Sequence, residues 1–337
     1  MVVDSRCDKT PDRNMALEFC RGTEAAAMAA GRWMGRGDKN SADGAAVNAM
    51  RYMLNTIHMD GIVVIGEGEK DEAPMLFNGE KLGTGDGPQV DIAVDPIDGT
   101  RLTALGLSGA ISVVAIAPRG TMFDPKCVFY MDKLVVGPEA KDMVDIEAPV
   151  AENINMVAKA KKKDVCDVTV VVLDRPRHTD LIAEIRAAGA RIKLIPDGDI
   201  GGALLTCKSE RGADMLMGIG GTPEAVITAC AVKALGGGMQ GKLWTRTEDE
   251  KNCAIGQGLD FSKVLTLDDL VSSDDVFFSA TGITDGDFLT GVRYESERIK
   301  TSSLVMRSKS GTVRYVEAIH RPKKLDAISG IDYKDCR

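Results

Sequence analysis

The chain has 337 residues, 44% of them hydrophobic, which is enough for one large or two medium domains with a buried core. Its net charge of −8 argues against a surface that binds nucleic acid through phosphate contacts. The eight cysteines are scattered without a C-x-x-C pair, which argues against a zinc finger or a disulfide framework and favours a reducing compartment.

No targeting or membrane segment is expected. Residues 1–14 are polar, carry charges of both signs and lack the apolar stretch of a secretory signal. No run reaches the ~18–20 apolar residues that a membrane helix needs. We therefore expect a short disordered lead at 1–14, a cytoplasmic location, and neither nucleic acid nor a membrane as a partner.

The first half of the chain is predicted to contain two helices followed by strands. Residues 16–35 are rich in Ala and Met, and residues 41–57 place Val47, Met50 and Leu54 at helical spacing. Short apolar runs then predict strands at 62–65, 90–94, 111–117 and 129–136.

From about residue 165 the pattern alternates between strand and helix. Strands are predicted at 168–173, 191–195 and 213–217, with helices at 177–188, 200–207 and 222–235. This order predicts a largely parallel sheet covered by helices, and hence an α/β protein of two domains that meet near residue 165. Later strands are predicted at 276–280, 302–307 and 312–319, and a loop at 244–260.

An acidic segment, Asp95-Pro96-Ile97-Asp98-Gly99-Thr100, follows the strand predicted at 90–94. Proline fixes φ and glycine permits close backbone approach, so a turn across Pro96-Ile97 could bring both carboxylates to one point. A helix starting after Thr100 would add backbone N–H groups that favour an anion. The same residues are ordinary turn formers, so this segment alone leaves both interpretations open.

Three other segments supply acidic side chains. The run Gly66-Glu67-Gly68-Glu69-Lys70-Asp71-Glu72 follows a predicted strand, where open α/β sheets bind ligands, although charged runs are often only solvated. Asp43 lies at the start of the second helix, where it could equally complement the helix dipole. Residues 218–224 place Glu224 after glycines at a helix start, a position that capping chemistry also explains.

Together these segments offer five oxygen donors on loops and helix starts: Asp43, Glu67, Asp95, Asp98 and Glu224. Hard divalent ions prefer carboxylate ligands, and no cluster of His and Cys indicates zinc instead. The set predicts a site for two or more Mg²⁺ or Mn²⁺ ions.

At this point the sequence resembles a known family. Residues 95–100, with the upstream Gly-Glu-Gly-Glu, resemble the lithium-sensitive sugar-phosphatase superfamily, which includes inositol monophosphatases and fructose-1,6-bisphosphatases. Longer segments between about residues 15 and 320 resemble the class II bacterial fructose-1,6-bisphosphatases: Gly35-Arg36-Gly37-Asp38-Lys39, Ile65-Gly66-Glu67-Gly68-Glu69, Asp71-Glu72-Ala73-Pro74-Met75-Leu76, Arg175-Pro176-Arg177-His178, Pro196-Asp197-Gly198-Asp199, Gly220-Gly221-Thr222-Pro223-Glu224 and Ala280-Thr281-Gly282-Ile283-Thr284.

The resemblance implies a layered α-β-α-β-α fold made of two α/β domains. It implies an N-terminal metal-site domain at 15–165, a C-terminal sugar- and phosphate-binding domain at 166–320, and a tail at 321–337. A small-molecule sugar bisphosphate would be the partner, and we expect a homo-oligomer, either a dimer or a tetramer.

The resemblance also implies roles for single residues. The family's metal-ligand positions match Asp43, Glu67, Asp95, Asp98 and Glu224; some members carry Glu in place of Asp98, which is also a hard oxygen donor. Its substrate-binding positions match Asp98, Gly99, Thr100, Tyr130, Arg175, Pro176, Arg177, Asp197, Gly198, Asp199 and Gly221. Some members have Lys in place of Arg175. Lys39 and Asp71 fall in segments that the family associates with catalysis.

Taken by themselves, several of these residues agree with a phosphosugar ligand. Arg175 and Arg177 follow a predicted strand and could clamp a second phosphate, though a solvated basic turn has the same pattern. Asp197 and Asp199 could accept sugar hydroxyls or simply form an Asp-Gly turn. Tyr130, in an apolar strand, would otherwise be a core aromatic.

We therefore predict a metal-dependent phosphatase that removes the 1-phosphate of fructose 1,6-bisphosphate, in gluconeogenesis or sugar-phosphate metabolism. Metal-activated water would attack without a covalent phosphoenzyme, with Thr100 orienting or deprotonating it and Asp71 as a candidate partner. The nearest alternative is a dual enzyme that also accepts sedoheptulose 1,7-bisphosphate.

Three further alternatives remain: an inositol phosphatase, a non-catalytic phosphosugar-binding protein and a dinucleotide-binding oxidoreductase. The last is weak because Pro223 stands where G-x-G-x-x-G needs its final glycine.

Overall fold

The computed structural model describes residues 14–66, 76–208, 212–329, 331 and 333. The strands within them are β1 Asp60–Ile65, β2 Lys81–Leu82, β3 Gln89–Asp98, β4 Ile111–Pro118, β5 Tyr130–Val136, β6 Thr169–Leu173, β7 Arg191–Ile195, β8 Met215–Gly221, β9 Gly238–Trp244, β10 Leu265–Thr266, β11 Phe277–Gly282, β12 Arg293–Tyr294, β13 Ile299–Arg307 and β14 Thr312–His320. The α-helices are α1 Ala16–Ala30, α2 Lys39–Leu54, α3 Thr100–Leu105, α4 Val150–Lys161, α5 Thr179–Ala187, α6 Asp199–Thr206, α7 Thr222–Leu235, α8 Glu248–Gly256, α9 Leu267–Leu270 and α10 Pro322–Ser329.

These strands form two mixed sheets. The first has the order β12-β13-β11-β4-β3-β1-β2, with β14 paired to β13, and its described pairs are antiparallel except β1 with β3. The second has the order β10-β9-β5-β8-β6-β7. Its strands β7, β6 and β8 are parallel, but β5 runs antiparallel to both β8 and β9. The prediction of a largely parallel second sheet was therefore wrong, because β5 comes from before residue 165 and enters this sheet from the opposite direction.

Helices and sheets alternate in five layers. One apolar cluster joins α1 and α2 to one face of the first sheet, a second joins α6 and α7 to both sheets, and a third joins α4 and α5 to the far face of the second sheet. The helix α7 is apolar around most of its circumference, with residues from Ala225 to Val232 all buried, as expected for a helix between two sheets. The expected α-β-α-β-α layering is confirmed.

The chain passes more than once between the sheets. Each sheet contains strands from both sides of residue 165, since β5 lies in the second sheet and β11 to β14 return to the first. The division into two domains near that residue stays a prediction. No helix in the described part of the chain is long and apolar enough to cross a membrane.

Two local predictions need correction. The second helix begins at Lys39 rather than at residue 41, because the Asp38 carboxylate caps it by accepting from Ser41 N at 3.0 Å and Ser41 Oγ at 2.6 Å. The stretch 244–260 is not a loop throughout, since it contains α8, which Thr247 caps by accepting from Glu250 N at 3.2 Å. This helix buries only Ala254, so it has no apolar stripe by which its sequence could predict it.

Candidate active site

The acidic segment after residue 94 is a strand with a bulge, and the predicted turn across Pro96-Ile97 was wrong. Strand β3 runs on to Asp98, with Asp95 opposite Val113 and Asp98 opposite Ile111, so that two residues of β3 face one of β4. A bulge of this kind re-aims the side chains that flank it. Both Asp95 and Asp98 consequently line the same cavity.

Gly99 and Thr100 connect this strand to α3. Gly99 has a φ of 99°, in the left-handed region, so a side chain there would be strained. Thr100 Oγ1 donates a hydrogen bond to Asp43 Oδ1 at 3.0 Å and lies 3.3 Å from Ile97 O. Asp43 lies one turn inside α2, and burial raises its pKa above the ordinary value. The structure therefore places Asp43 beside Thr100, not at the helix start where the sequence put it.

The glycines at 218–221 are the last residues of strand β8, not a loop, and the helix α7 begins at Thr222 as predicted. A Cβ on Gly221 would lie 1.7 Å from Glu224 Oε2, so this position leaves room for that carboxylate. Glu224 Oε2 is itself buried without a hydrogen-bond partner among the described residues. Burial, followed by the nearby Asp199 carboxylate, raises the pKa of Glu224.

Most of the predicted site residues line one cavity of about 460 Å³. Those that line it are Asp95, Asp98, Gly99, Thr100, Tyr130, Arg175, Arg177, Asp197, Gly198, Asp199, Gly221 and Glu224. Pro176, Asp43 and Lys39 are not among the lining residues. Asp43 is hydrogen-bonded to the lining residue Thr100, and the charge of Lys39 lowers the pKa of Asp43. Glu67 and Asp71 lie outside the described residues.

The side of the cavity formed by the second sheet carries the two arginines. Arg175 Nη1 donates to Pro196 O at 2.6 Å, and its Nη2 lies 3.4 Å from Asp197 Oδ1. Arg177 donates through Nε and Nη2 to Ile219 O, at 3.1 and 2.7 Å, and its guanidinium lies 5.3 Å from the centre of the Tyr130 ring. Burial lowers the pKa of the Arg177 guanidinium below its ordinary value.

His178 fixes the backbone that carries these arginines. Its Nε2 accepts from Ile219 N at 2.8 Å, so Nδ1 carries the proton and donates to Leu173 O at 2.7 Å. Burial lowers the pKa of the ring, which agrees with the neutral form that this pairing requires. The ring therefore bridges β6 and β8 and takes no direct part in the cavity.

Sequence reasoning missed two basic residues here. Lys133 on β5 has a side chain only 1% exposed, and its Nζ lies 2.7 Å from Asp199 Oδ2. A lysine inside a largely apolar strand is a signal that could have found it. Arg246 lies with its guanidinium 4.3 Å from the centre of the Tyr130 ring, a contact between distant segments that no local pattern indicates.

The carboxylates of the cavity fit a divalent cation by their chemistry. Burial, followed by the Asp199 and Glu224 carboxylates, raises the pKa of Asp98 well above its ordinary range, so the ionised cluster needs compensating positive charge. The buried, unpartnered Glu224 Oε2 is an oxygen of the kind that such an ion binds. Within the described ranges no three His, Cys, Asp or Glu side chains form a ready metal-binding group, and the predicted ligand Glu67 lies outside those ranges.

Comparison with known proteins gives one family. The model of the family described as bacterial fructose-1,6-bisphosphatase, glpX-encoded, matches residues 13–320. A fructose-1,6-bisphosphatase 1 class 2 of Escherichia coli K12 is 48% identical over 321 residues, covering 91% of this chain and 95% of the relative. Class 2 fructose-1,6-bisphosphatases of Escherichia coli O6:H1 and Shigella flexneri show the same identity and coverage.

Proposed function

Because the chain belongs to the bacterial class 2 fructose-1,6-bisphosphatase family, we propose that it hydrolyses the 1-phosphate of fructose 1,6-bisphosphate to fructose 6-phosphate and phosphate. The observation that supports this most is the single cavity in which Asp95, Asp98 and Thr100 face Arg175 and Arg177. Carboxylates that can hold metal and a paired set of arginines are what a bisphosphate requires at its two ends.

The acidic side of the cavity would carry the chemistry. Asp43, Glu67, Asp95, Asp98 and Glu224 would hold the divalent ions, which we propose to be Mg²⁺ or Mn²⁺. When bound, such ions lower the pKa of a water and offset the charge of the phosphate.

Thr100 would position the attacking water. Its hydroxyl proton points to Asp43 or to Ile97 O, which leaves an oxygen lone pair to accept a hydrogen bond from that water. Backbone N–H groups after Gly99, at the start of α3, would donate to the phosphate oxygens. Asp71 would be the partner of Thr100 in proton transfer, and Lys39, whose charge acts on Asp43, would contribute to charge balance.

The arginine side would hold the rest of the substrate. Arg175 and Arg177 would bind the phosphate that does not react, and the carboxylates of Asp197 and Asp199 would accept sugar hydroxyls. Tyr130 and Gly221 would complete the sugar contact, with Gly198 and Pro176 shaping the loops that carry the polar groups.

We also propose that the protein is cytoplasmic and assembles into a dimer or a tetramer. Size-exclusion chromatography with light scattering tests the assembly.

The test is phosphate release by the purified protein from a panel of substrates: fructose 1,6-bisphosphate, sedoheptulose 1,7-bisphosphate and inositol 1-phosphate, each with Mg²⁺ and with Mn²⁺. We expect the highest kcat/KM with fructose 1,6-bisphosphate and fructose 6-phosphate as its product. Equal efficiency on the sedoheptulose ester would make the enzyme dual, and preference for inositol 1-phosphate would overturn the assignment of Arg175 and Arg177.

A further inference from the structure

Lys133 is a buried cation, and its ion-pair partner Asp199 lines the cavity. Its neighbours across the sheet are Gly218 on β8 and Gly241 on β9, so no side chain lies directly opposite it on either strand. Its Nζ lies 2.7 Å from Asp199 Oδ2, with the two side chains 1% and 8% exposed. A Cβ on Gly220 would lie 2.0 Å from that same Oδ2 and 2.9 Å from Nζ, so this glycine leaves the space in which the pair forms.

This ion pair distinguishes Asp199 from Asp98 and Glu224, two other acids of the cavity. Asp197 lies within ion-pair distance of Arg175, whereas Asp98 and Glu224 have no Lys or Arg partner among the described residues. The charge of the Asp199 carboxylate raises the pKa of Asp98 and of Glu224, so it disfavours the ionised form of both. Lys133 partly offsets this effect, since its charge lowers the pKa of Glu224.

The hydrogen bond from Lys133 makes the two carboxylate oxygens of Asp199 different. Oδ2 accepts from Lys133, and within the described ranges no protein donor is bonded to Oδ1, although Asp199 lines the cavity. A carboxylate whose charge is already balanced by an ammonium attracts a divalent ion less than its unpaired neighbours do. It keeps the capacity to accept a hydrogen bond from a neutral hydroxyl.

We propose that Lys133 is a positioning residue that orients the Asp199 carboxylate to bind the sugar. The ion pair fixes the orientation of the carboxylate, directs Oδ1 to a substrate hydroxyl and keeps Asp199 out of the metal-ligand set. This inference rests on the proposed function, because it presumes a sugar phosphate in the cavity.

The test uses the full chain with saturating Mn²⁺ and compares wild type, Lys133→Met, Asp199→Asn and the double variant. Lys133→Met should raise the KM for fructose 1,6-bisphosphate about tenfold or more, with a smaller change in kcat, because a buried charged acceptor loses its partner. In a separate titration with Mn²⁺, Lys133→Met should also change the Mn²⁺ concentration needed for half-maximal activity, since Asp199 then becomes available to the ion.

The double variant isolates the pair. If Lys133 acts through Asp199, adding Lys133→Met to Asp199→Asn should leave the KM of the single Asn variant unchanged. This comparison stands even where Lys133→Met alone fails to fold, because the double variant removes both charges together. A further rise in KM in the double variant would overturn the proposal, since Lys133 would then act on the substrate by itself.

A matched control comes from Lys163, whose Nζ lies 2.7 Å from Asp214 Oδ1 in an ion pair that is not part of the cavity lining. Lys163→Met should lower the melting temperature without changing KM or kcat. If Lys133→Met behaves as this control does, the pair is structural and the proposal is wrong. Absence of phosphate release by the wild type would instead refute the proposed function, so the two failures are distinguishable.

Discussion

The two sides of the cavity differ in how their charges are balanced. On the side formed by β3 and the start of α7, Asp98 and Glu224 have no cationic side chain paired with them in the described part of the chain, and the pKa of each is raised by burial. On the side formed by the second sheet, Asp199 is paired with Lys133 and Asp197 with Arg175. Within the described residues the first side therefore holds acids without a cationic partner, whereas the second side has its ion pairs in place before any ligand arrives.

This difference separates chemistry from recognition. Changes on the first side should act on kcat and on the requirement for metal, since they alter the groups that would contact the reacting phosphate. Changes on the second side should act on KM, because they alter contacts that substrate and transition state share.

The largest effect is expected from Asp95→Asn. Loss of one carboxylate from the acidic side should lower kcat by about a thousandfold or more at saturating metal, while the fold is kept. Asp142→Asn, on the exposed surface, is the control and should be silent. Steady-state phosphate release and a thermal melt measure both quantities. Near-normal turnover by the Asn variant would remove Asp95 from the proposed ligand set.

Thr100→Val should follow, with kcat lower by about 10²- to 10³-fold and KM little changed, because the group that orients the water is lost while its volume is kept. Thr100→Ser retains the hydroxyl that donates to Asp43 and should keep most of the activity. If the Val and Ser variants proved equally active, the hydroxyl would have no part in the reaction.

Gly221→Ala tests the space beside Glu224 without removing any acid. The added Cβ would lie 1.7 Å from Glu224 Oε2, so the carboxylate must move. We expect the metal concentration for half-maximal activity to rise about 10- to 100-fold, as when the support of a ligand is lost. Gly256→Ala, where an added Cβ meets nothing within 4 Å, is the matched control. Equal metal titration curves for the two variants would place Glu224 outside the metal site.

A smaller effect, confined to binding, is expected from Arg177→Ala. Its KM for fructose 1,6-bisphosphate should rise about tenfold, with kcat nearly unchanged, because one charge-assisted contact to the distal phosphate is lost. Arg191→Ala, which removes an exposed arginine paired with Asp167, should leave both constants alone. An unchanged KM in Arg177→Ala would mean that the second phosphate binds elsewhere.

The smallest effect concerns pH. Because the pKa values of Asp98 and Glu224 are raised, protons compete with cations for these carboxylates to a higher pH than for ordinary acids. Activity should fall as the pH decreases through these raised pKa values. Each tenfold increase in metal concentration should lower the pH at which activity is lost by up to about one unit. A pH profile independent of metal concentration would contradict a metal role for these two residues.

The sequence predicted some of this structure well. The helix α7 and the strand β7 have the predicted bounds. Gly221 and Gly236 flank the apolar helix, and Pro196 follows the alternating strand, so both are marked locally. The polar side chains that line the cavity were also predicted together, largely because the resemblance to a family added spatial information that no single segment contains.

Other features depended on contacts between distant segments. The extension of β3 through Pro96 exists because β4 pairs with it beyond the bulge, and a local reading of Asp-Pro-x-Asp-Gly favours a turn. The direction of β5 in the second sheet and the pairing of Lys133 with Asp199, 66 residues apart, are likewise set by tertiary structure. Local pattern cannot predict such partners.

The acidic side of the cavity should work only with a divalent cation. The most direct measurement is phosphate release from fructose 1,6-bisphosphate by wild-type protein stripped of metal with a chelator and then titrated with Mn²⁺ or Mg²⁺. We predict no turnover in the stripped protein and saturable recovery as metal is added. Full turnover in the presence of excess chelator would contradict the claim.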